Sequence, residues 1–356
     1  MNFAYLPLTP EDRKAMLQTI GVATMDELFQ DIPAEIRRTT PLNLPPAQSE
    51  LELLAGMKAL SDKNAHADRY VCFLGAGSYD HFIPSVVKHL ARRSEFTTAY
   101  TPYQPEMSQG SLQAFYEYQT LMSELTALPV SNASLYDGAS ALAEAVIMAH
   151  SVTQRTEFLV ARSLHPEYRK VIETYTQNLD FKFTEIPMKD GVCDQAFILS
   201  HLSPGLAAVV VQTPNFFGCI EDVASWSGAV SAQGALLITT VDPVSLGVLA
   251  PPGELGASIA VGEGQSLGNA MSFGGPYLGF LTCQEQFVRR MPGRIIGQTV
   301  DTQGRRGFVL TLQTREQHIR RELATSNICT NQALMAMHAA VHMASLGKAG
   351  DRKSVV

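Results

Sequence analysis

Short apolar runs alternate with amphipathic segments through the middle of the chain. Residues 207–211 and 235–239 contain only apolar or β-branched side chains, which is typical of strands buried on both faces. Segments with helical spacing separate these runs from one another. The pattern therefore predicts a doubly wound α/β domain over residues 61–325, with a mostly parallel sheet covered by helices.

The N-terminal part has a different, helical pattern. Thr9 can cap a helix that begins at Pro10 and ends at Gly21, and a shorter helix is expected over residues 24–29. Prolines then interrupt the chain until helical spacing resumes at residues 49–60. Residues 1–60 are therefore predicted to form a helical arm, of the kind that wraps a neighbouring subunit.

The parallel sheet directs attention to the residues that follow its strands. In sheets of this kind, ligands bind beyond the carboxyl ends of the strands. The candidate positions are the ends of four predicted strands: 162–165, 213–215, 242–243 and 262–265.

Two glycine-containing segments could hold a phosphate. Residues 75–81 resemble the start of a dinucleotide fingerprint, but Asp80 stands at the third glycine position, so a simple tight turn is the stronger interpretation. Gly138, Ala139 and Ser140 begin a predicted helix, whose open N–H groups suit a phosphate. An ordinary small-residue helix packed on the sheet explains the second segment equally well.

A proline-stiffened loop carries polar aromatic groups. It places Tyr100, Tyr103 and Gln104 among prolines, which fix φ and hold such groups in position. This composition favours a recognition surface over an irregular connection between helices.

Composition and charge narrow the function classes. The 356 residues are 46% hydrophobic and 17% charged, which excludes a disordered chain, and the net charge of −7 argues against binding to nucleic acid or anionic membranes. No signal peptide or membrane-spanning run is visible. The five cysteines lack metal-site spacing, so we expect reduced thiols, a cytoplasmic protein and no metal; His81, His165 and Cys329 are expected to be structural.

The region after the predicted strand at residues 235–239 resembles pyridoxal-phosphate enzymes in layout but lacks their amine. In such enzymes an aspartate after a parallel strand pairs with the ring nitrogen, and a lysine before a glycine-rich turn forms the Schiff base. Asp242 and the glycines of residues 268–279 fit this layout. Of the nine lysines, none lies between Lys189 and Lys348. The scaffold is therefore expected without its reactive lysine.

Four segments together carry a family resemblance. Residues 100–106, 132–138, 272–279 and 324–331 resemble the glycine decarboxylase P-protein family of the glycine cleavage system. The chain is most similar to subunit 1, the α subunit, of the form in which the enzyme is divided between two chains. Leu323 is a departure, because lysine is usual at that position in the family.

The resemblance implies a fold-type-I pyridoxal-phosphate transferase fold and a dimer of heterodimers. It implies that subunit 2 holds pyridoxal phosphate and the lysine, and that Gln265 of this chain lies near the equivalent position. The pair would decarboxylate glycine and transfer its aminomethyl group to the lipoyl arm of the H-protein.

The resemblance also assigns roles to this chain's residues. No catalytic residue is expected on this chain. Its loops that border the partner's active site would face the substrate or the subunit interface. Other residues would line a vestigial cofactor pocket. The facing candidates are Tyr100, Tyr103, Gln104, Ser78, Tyr79, Asp80 and His81. The pocket candidates are Gly138, Ala139, Ser140 and Asp242.

The end of the chain carries two further expectations. Residues 326–350 would begin a C-terminal region whose small domain is truncated. Residues 351–356 would be a non-native tail, because their codons can match a sequencing adapter. Two other functions stay open: a non-catalytic scaffold or interaction subunit, and an independent pyridoxal-phosphate lyase, which would need a lysine to reach the cofactor.

Overall fold

The structure is a computed structural model that describes residues 8–38, 40–99, 101–324, 328 and 332–347. Two units divide the chain, Met1–Tyr70 and Val71–Val356. The expected tail at residues 351–356 lies outside the described residues, as does Cys329.

The N-terminal unit contains helices α1 (Pro10–Ile20) and α2 (Glu50–Ser61) and a short 3-10 helix, Met25–Phe29. Thr9 caps α1 as predicted, and Gly21 ends it in the left-handed conformation with φ 87°. A second capping box begins α2. Neither helix has a buried residue, so local capping, rather than a hydrophobic core, supports them.

The larger unit is built from eleven strands and nine α-helices within its described residues. The strands are β1 (Val130–Ser131), β2 (Glu157–Ala161), β3 (Lys182–Ile186), β4 (Met188–Lys189), β5 (Val192–Cys193), β6 (Leu206–Gln212), β7 (Leu236–Thr240), β8 (Ile259–Glu263), β9 (Gly279–Cys283), β10 (Ile295–Val300) and β11 (Arg306–Thr311). The helices are α3 (Ser85–Ala91), α4 (Ser94–Thr97), α5 (Gln109–Thr126), α6 (Gly138–Thr153), α7 (Pro166–Thr176), α8 (Gln195–Ser200), α9 (Ala224–Ala232), α10 (Gln317–Arg320) and α11 (Ala333–Leu346).

Seven of these strands form the central sheet, in the order β1-β9-β8-β7-β6-β2-β3. The strands from β8 to β3 are mutually parallel, whereas β9 and β1 pair antiparallel at the other side. This confirms the predicted α/β fold with a mostly parallel sheet. The two remaining pairs, β4-β5 and β10-β11, are separate antiparallel hairpins.

The two edges of the sheet differ from its centre. Strands β6 and β7 are almost completely buried, as their apolar runs predict. At one edge, β3 exposes its first four residues, and its Glu185 forms ion pairs with Arg162 and Arg169. At the other edge, β1 is only two residues long.

Helix α6 packs across the middle of the sheet and starts at its carboxyl edge. It contacts β6 to β9 and buries ten residues, among them Ala141, Ala143 and Ala145. Small side chains let the helix lie close to the strands. The Asp137 side chain accepts from the backbone N–H of Ser140 and so fixes the start of the helix.

Two kinds of feature are absent from the described ranges. No helix there is both apolar and long enough to cross a bilayer. No cluster of histidine, cysteine, aspartate and glutamate side chains among those residues could hold a metal ion.

Candidate functional site

A cavity of about 190 Å³ lies at the carboxyl ends of the parallel strands. The residues that follow four strands contribute to it: His165 after β2, Asn215 after β6, Asp242 after β7 and Glu263 at the end of β8. The loop that precedes α3 forms another wall through Ala76, Gly77 and Tyr79. The structure thus brings the strand-end positions of the sequence to one place.

Asp242 is a buried carboxyl group in this cavity. Burial raises its pKa, against the lowering effect of hydrogen bonds from the Val244 N–H and the Ser266 side chain. Tyr79 lies on the same cavity, and burial and then the nearby Asp242 raise the pKa of its hydroxyl. The Tyr79 hydroxyl therefore resists ionisation beside Asp242.

Glu263 is the second carboxyl group, and it is held by the backbone. Oε2 accepts from the Gly138 N–H at 3.0 Å, and Oε1 accepts from the N–H groups of Gln265 and Leu278, each at 2.9 Å. Burial is the largest effect on this side chain and raises its pKa to about 7, with Asp137 adding repulsion and the three N–H groups opposing it. The Glu263 carboxyl therefore titrates near neutral pH.

A phosphate site was one expectation for the start of α6, but backbone N–H groups there already donate to carboxylates of the chain. Gly138 donates to Glu263, and Ser140 donates to Asp137 at 2.8 Å. A Cβ atom at Gly138 would collide with the Tyr168 hydroxyl and the Glu263 backbone N. The helix start is thus closely covered as well as hydrogen-bonded.

Aromatic rings complete the wall beside this helix start. Tyr168 stacks on His165 with a centroid distance of 4.7 Å, and Phe216 meets the His165 ring edge-on at 4.9 Å. His165 Nε2 lies 3.1 Å from the Ala76 carbonyl oxygen. Burial, followed by repulsion from Glu263, raises the pKa of Tyr168 well above its usual value. This hydroxyl stays protonated.

Gln265 is fully buried and fastens the loop before α3. Its Oε1 accepts from the Tyr79 N–H at 2.8 Å, and its Nε2 donates to the carbonyl oxygens of Tyr79 and Asn269 at 2.9 and 2.7 Å. Gln265 was expected to lie near the position that is equivalent to the Schiff-base lysine of the partner subunit. Here an amide uses both its donor and its acceptor to hold backbone instead.

Two further loop residues are anchored to the same region. The hydroxyls of Ser78 and Tyr277 lie 2.7 Å apart. His81 Nε2 accepts from the Gly268 N–H at 3.1 Å, so its Nδ1 is the nitrogen that donates to the Tyr79 carbonyl oxygen. The segment 78–81 is therefore tied to the strand ends at several points, while Asp80 itself is exposed.

The proline-stiffened loop lies elsewhere. Tyr100 is outside the described residues. Tyr103 is buried in a separate cluster, with the Arg294 guanidinium 4.4 Å from its ring centroid and Phe115 at 5.9 Å, and Gln104 is exposed. Neither Tyr103 nor Gln104 lines the cavity, so a role near it would have to involve a surface other than the cavity wall.

The cavity is acidic and aromatic. Among the residues that the structure describes, its lining contains no lysine or arginine, although it contains Asp242, Glu263, Tyr79 and Tyr168. From the sequence, Glu263 is recognisable only as a strand-end residue, and Tyr168, which lies in α7, gives no signal of its place at the site. Such a site can hold protons but offers no amine nucleophile within its described lining.

Comparisons with known proteins agree with one another. The family model described as glycine cleavage system P-protein matches residues 3–354. A relative from Desulforamulus reducens, "Probable glycine dehydrogenase (decarboxylating) subunit 1", is 54% identical over 98% of this chain and 78% of its own length. A relative of the same name from Carboxydothermus hydrogenoformans is also 54% identical, over 97% of this chain and 78% of its own length.

Solved structures give the same picture. An inhibitor-bound crystal structure of glycine decarboxylase (P-protein) of the glycine cleavage system is similar with a TM-score of 0.90 and 47% identity, over 99% of this chain and 79% of that one. A cysteine desulfurase from Thermococcus onnurineus, at 15% identity and a TM-score of 0.53 over 77% of this chain and 66% of that one, shares the fold alone.

Proposed function

The chain belongs to the glycine cleavage system P-protein family, and from that premise we propose that it is subunit 1 of a two-chain glycine dehydrogenase (decarboxylating). In the pair, glycine loses CO₂ and its aminomethyl group passes to the lipoyl arm of the H-protein. The observation that supports this proposal is the match to relatives named as subunit 1, which extends over 97–98% of this chain. A cytoplasmic location is part of it.

The cofactor, pyridoxal phosphate, belongs to subunit 2 in this proposal. When bound, it supplies the electron sink that decarboxylation of an amino acid requires. Support comes from this chain's own cavity, whose described lining has no lysine, and from the buried Gln265 beside it, which is committed to three hydrogen bonds. The same observations weigh against an independent pyridoxal-phosphate lyase.

The partner would cover the loop that precedes α3. Val71, Phe73, Leu74 and Phe82 expose 81–93% of their surface there, although the same loop is anchored at Ser78, Tyr79 and His81. A rigidly held loop with exposed apolar side chains suits contact with another protein. We therefore infer that this loop contributes to the contact with subunit 2 in a dimer of heterodimers, and that its polar residues border the partner's active site.

The facing residues expected from the sequence have unequal support. Ser78 and His81 are held through their side chains and Tyr79 through its backbone, which favours a positioning role. Tyr103 is packed under Arg294, so its contribution would be to shape the segment that carries Tyr100 and Gln104. The assignment of Gly138, Ala139, Ser140 and Asp242 to a vestigial pocket is part of the same proposal.

Mixing the chain with subunit 2 tests the function. We expect glycine–bicarbonate exchange, measured with labelled bicarbonate in the presence of H-protein and pyridoxal phosphate, only when both subunits are present. Each subunit alone is the control. Equal exchange by subunit 2 alone would instead make this chain a scaffold.

A variant on the loop tests the role of the anchored residues. Tyr79→Phe keeps the backbone hydrogen bonds to Gln265 and removes only the hydroxyl. If that hydroxyl borders the partner's site, exchange should slow while the two subunits still elute as one complex in gel filtration. An unchanged exchange rate would remove Tyr79 from the site.

A further inference from the structure

The start of α6 is occupied by a side chain of the protein itself. Glu263 reaches it from the end of β8, and its carboxylate accepts from Gly138, the first residue of the helix. A helix start is where phosphate oxygens bind in many nucleotide and cofactor sites, because its N–H groups have no partner within the helix. In this protein the Glu263 side chain is the hydrogen-bond acceptor at the helix start.

The Glu263 carboxylate also has the contacts expected of a bound anion. It accepts three backbone N–H bonds, from residues on three different segments, at 2.9–3.0 Å. Such charge-assisted bonds are the usual means by which backbone holds an oxyanion. We propose that Glu263 is an internal anion that takes the place of a cofactor phosphate and closes this chain's cavity to phosphate-bearing cofactors.

The surroundings would oppose a phosphate further. Asp137 caps the same helix and lies close enough to Glu263 to repel it, while Asp242 lies on the same cavity. The Tyr168 hydroxyl covers Gly138 directly. A phosphate dianion placed there would meet the Glu263 carboxylate, which already occupies the Gly138 N–H, whereas Asp137 and Asp242 are engaged with the N–H groups of Ser140 and Val244. No lysine or arginine among the described lining residues offsets the charge of Glu263. The residues present therefore do not fit the cofactor that the fold implies.

This inference deepens the proposed function, on which it rests, because it gives a physical reason for the cofactor to reside on the partner. It also predicts a latent site. Removing the Glu263 side chain should free the N–H of Gly138 and leave space for an anion beside it. Inorganic phosphate is the simplest probe of that space.

Glu263→Ala in the full chain is the test, and Glu221→Ala is its matched control. Glu221 is also buried and also accepts three hydrogen bonds, from Ser163, Asn215 and Cys193, but none of them comes from a helix start. Thermal unfolding is measured at pH 8 with and without 20 mM phosphate, against chloride at equal ionic strength.

Phosphate should raise the unfolding midpoint of Glu263→Ala by about 3 °C or more, and leave wild type and Glu221→Ala unchanged within about 1 °C. Equal responses of the two variants, or no response of Glu263→Ala, would overturn the proposal. Should Glu263→Ala be too unstable to melt, its recovery after refolding in phosphate and in chloride is compared. If phosphate does not improve this recovery, the proposal is likewise overturned.

This outcome is separate from that of the exchange assay. The phosphate measurement uses the chain without subunit 2, so a failed exchange assay leaves it unaffected. Conversely, an unresponsive Glu263→Ala would refute the internal anion while the two-chain enzyme still exchanged glycine carboxyl with bicarbonate.

Discussion

Replacing Glu263 by glutamine should change how the stability of the chain depends on pH. The pKa of Glu263 rises from 4.5 to about 7 on folding, chiefly through burial. A carboxyl whose pKa is higher in the folded state binds its proton more tightly there. It therefore adds stability that is complete below pH 4.5 and is lost as the pH rises through about 7.

The size of the effect follows from this shift. One pKa unit corresponds to about 1.4 kcal/mol, so protonation of Glu263 contributes roughly 2–3 kcal/mol at pH 5 and almost nothing at pH 8. Glutamine does not titrate. The NH2 group of the glutamine then faces the Gly138 N–H, donor against donor, which lowers the stability by about 1–3 kcal/mol. This loss is the same at every pH, so it does not change how the stability depends on pH.

Urea unfolding at intervals between pH 5 and pH 8 measures this difference. The single tryptophan, Trp226, is buried in α9 and reports unfolding of the larger unit by fluorescence. Relative to wild type, Glu263→Gln should gain roughly 2–3 kcal/mol from pH 5 to pH 8. Asp242 titrates in both proteins, so its own contribution largely cancels.

The control is Glu117→Gln, which removes an exposed carboxyl on α5 and should follow the wild-type profile. A difference between wild type and Glu263→Gln that stays constant within about 0.5 kcal/mol over this range would refute the reasoning.

Three further outcomes are expected. Gln265→Ala should free the loop at Tyr79, so the Tyr79 amide should exchange with deuterium at least about tenfold faster. The reason is that a lost hydrogen bond of about 1.4 kcal/mol changes the equilibrium of local opening by that factor. Leu142→Ala, in the buried face of α6, should cost about 2–5 kcal/mol in urea unfolding, whereas Leu142→Met should cost less than about 1.5 kcal/mol. The exposed Cys72 should react with iodoacetamide at pH 8 long before Cys283, whose pKa burial raises to about 12, and equal labelling rates would contradict this.

The sequence predicted those parts of the fold that depend on local patterns. The apolar runs of β6 and β7 predicted buried parallel strands, and the capping residues of α1 predicted where that helix begins and ends. The antiparallel strands β1 and β9 were not predicted, because the pairing of two residues with a strand about 150 positions away leaves no local signal in the sequence.

The candidate site was predictable only as a location. The strand-end rule selected Asp242 and Glu263 because it depends on topology alone. It could not predict that the Glu263 side chain turns toward Gly138, 125 positions earlier in the chain, or that Tyr168 covers that glycine. Such contacts depend on how separate elements pack, and single residues do not carry that information.

The edges of the central sheet limit how this chain can associate with others. Strand β3 presents a charged, ion-paired edge, and β1 offers only two residues of backbone at the opposite side. Charged or very short edges resist the addition of a further strand from another molecule. A continuous intermolecular sheet is therefore disfavoured at both sides. Association then depends on side-chain complementarity, which selects a particular partner, whereas exposed backbone would pair with almost any extended chain.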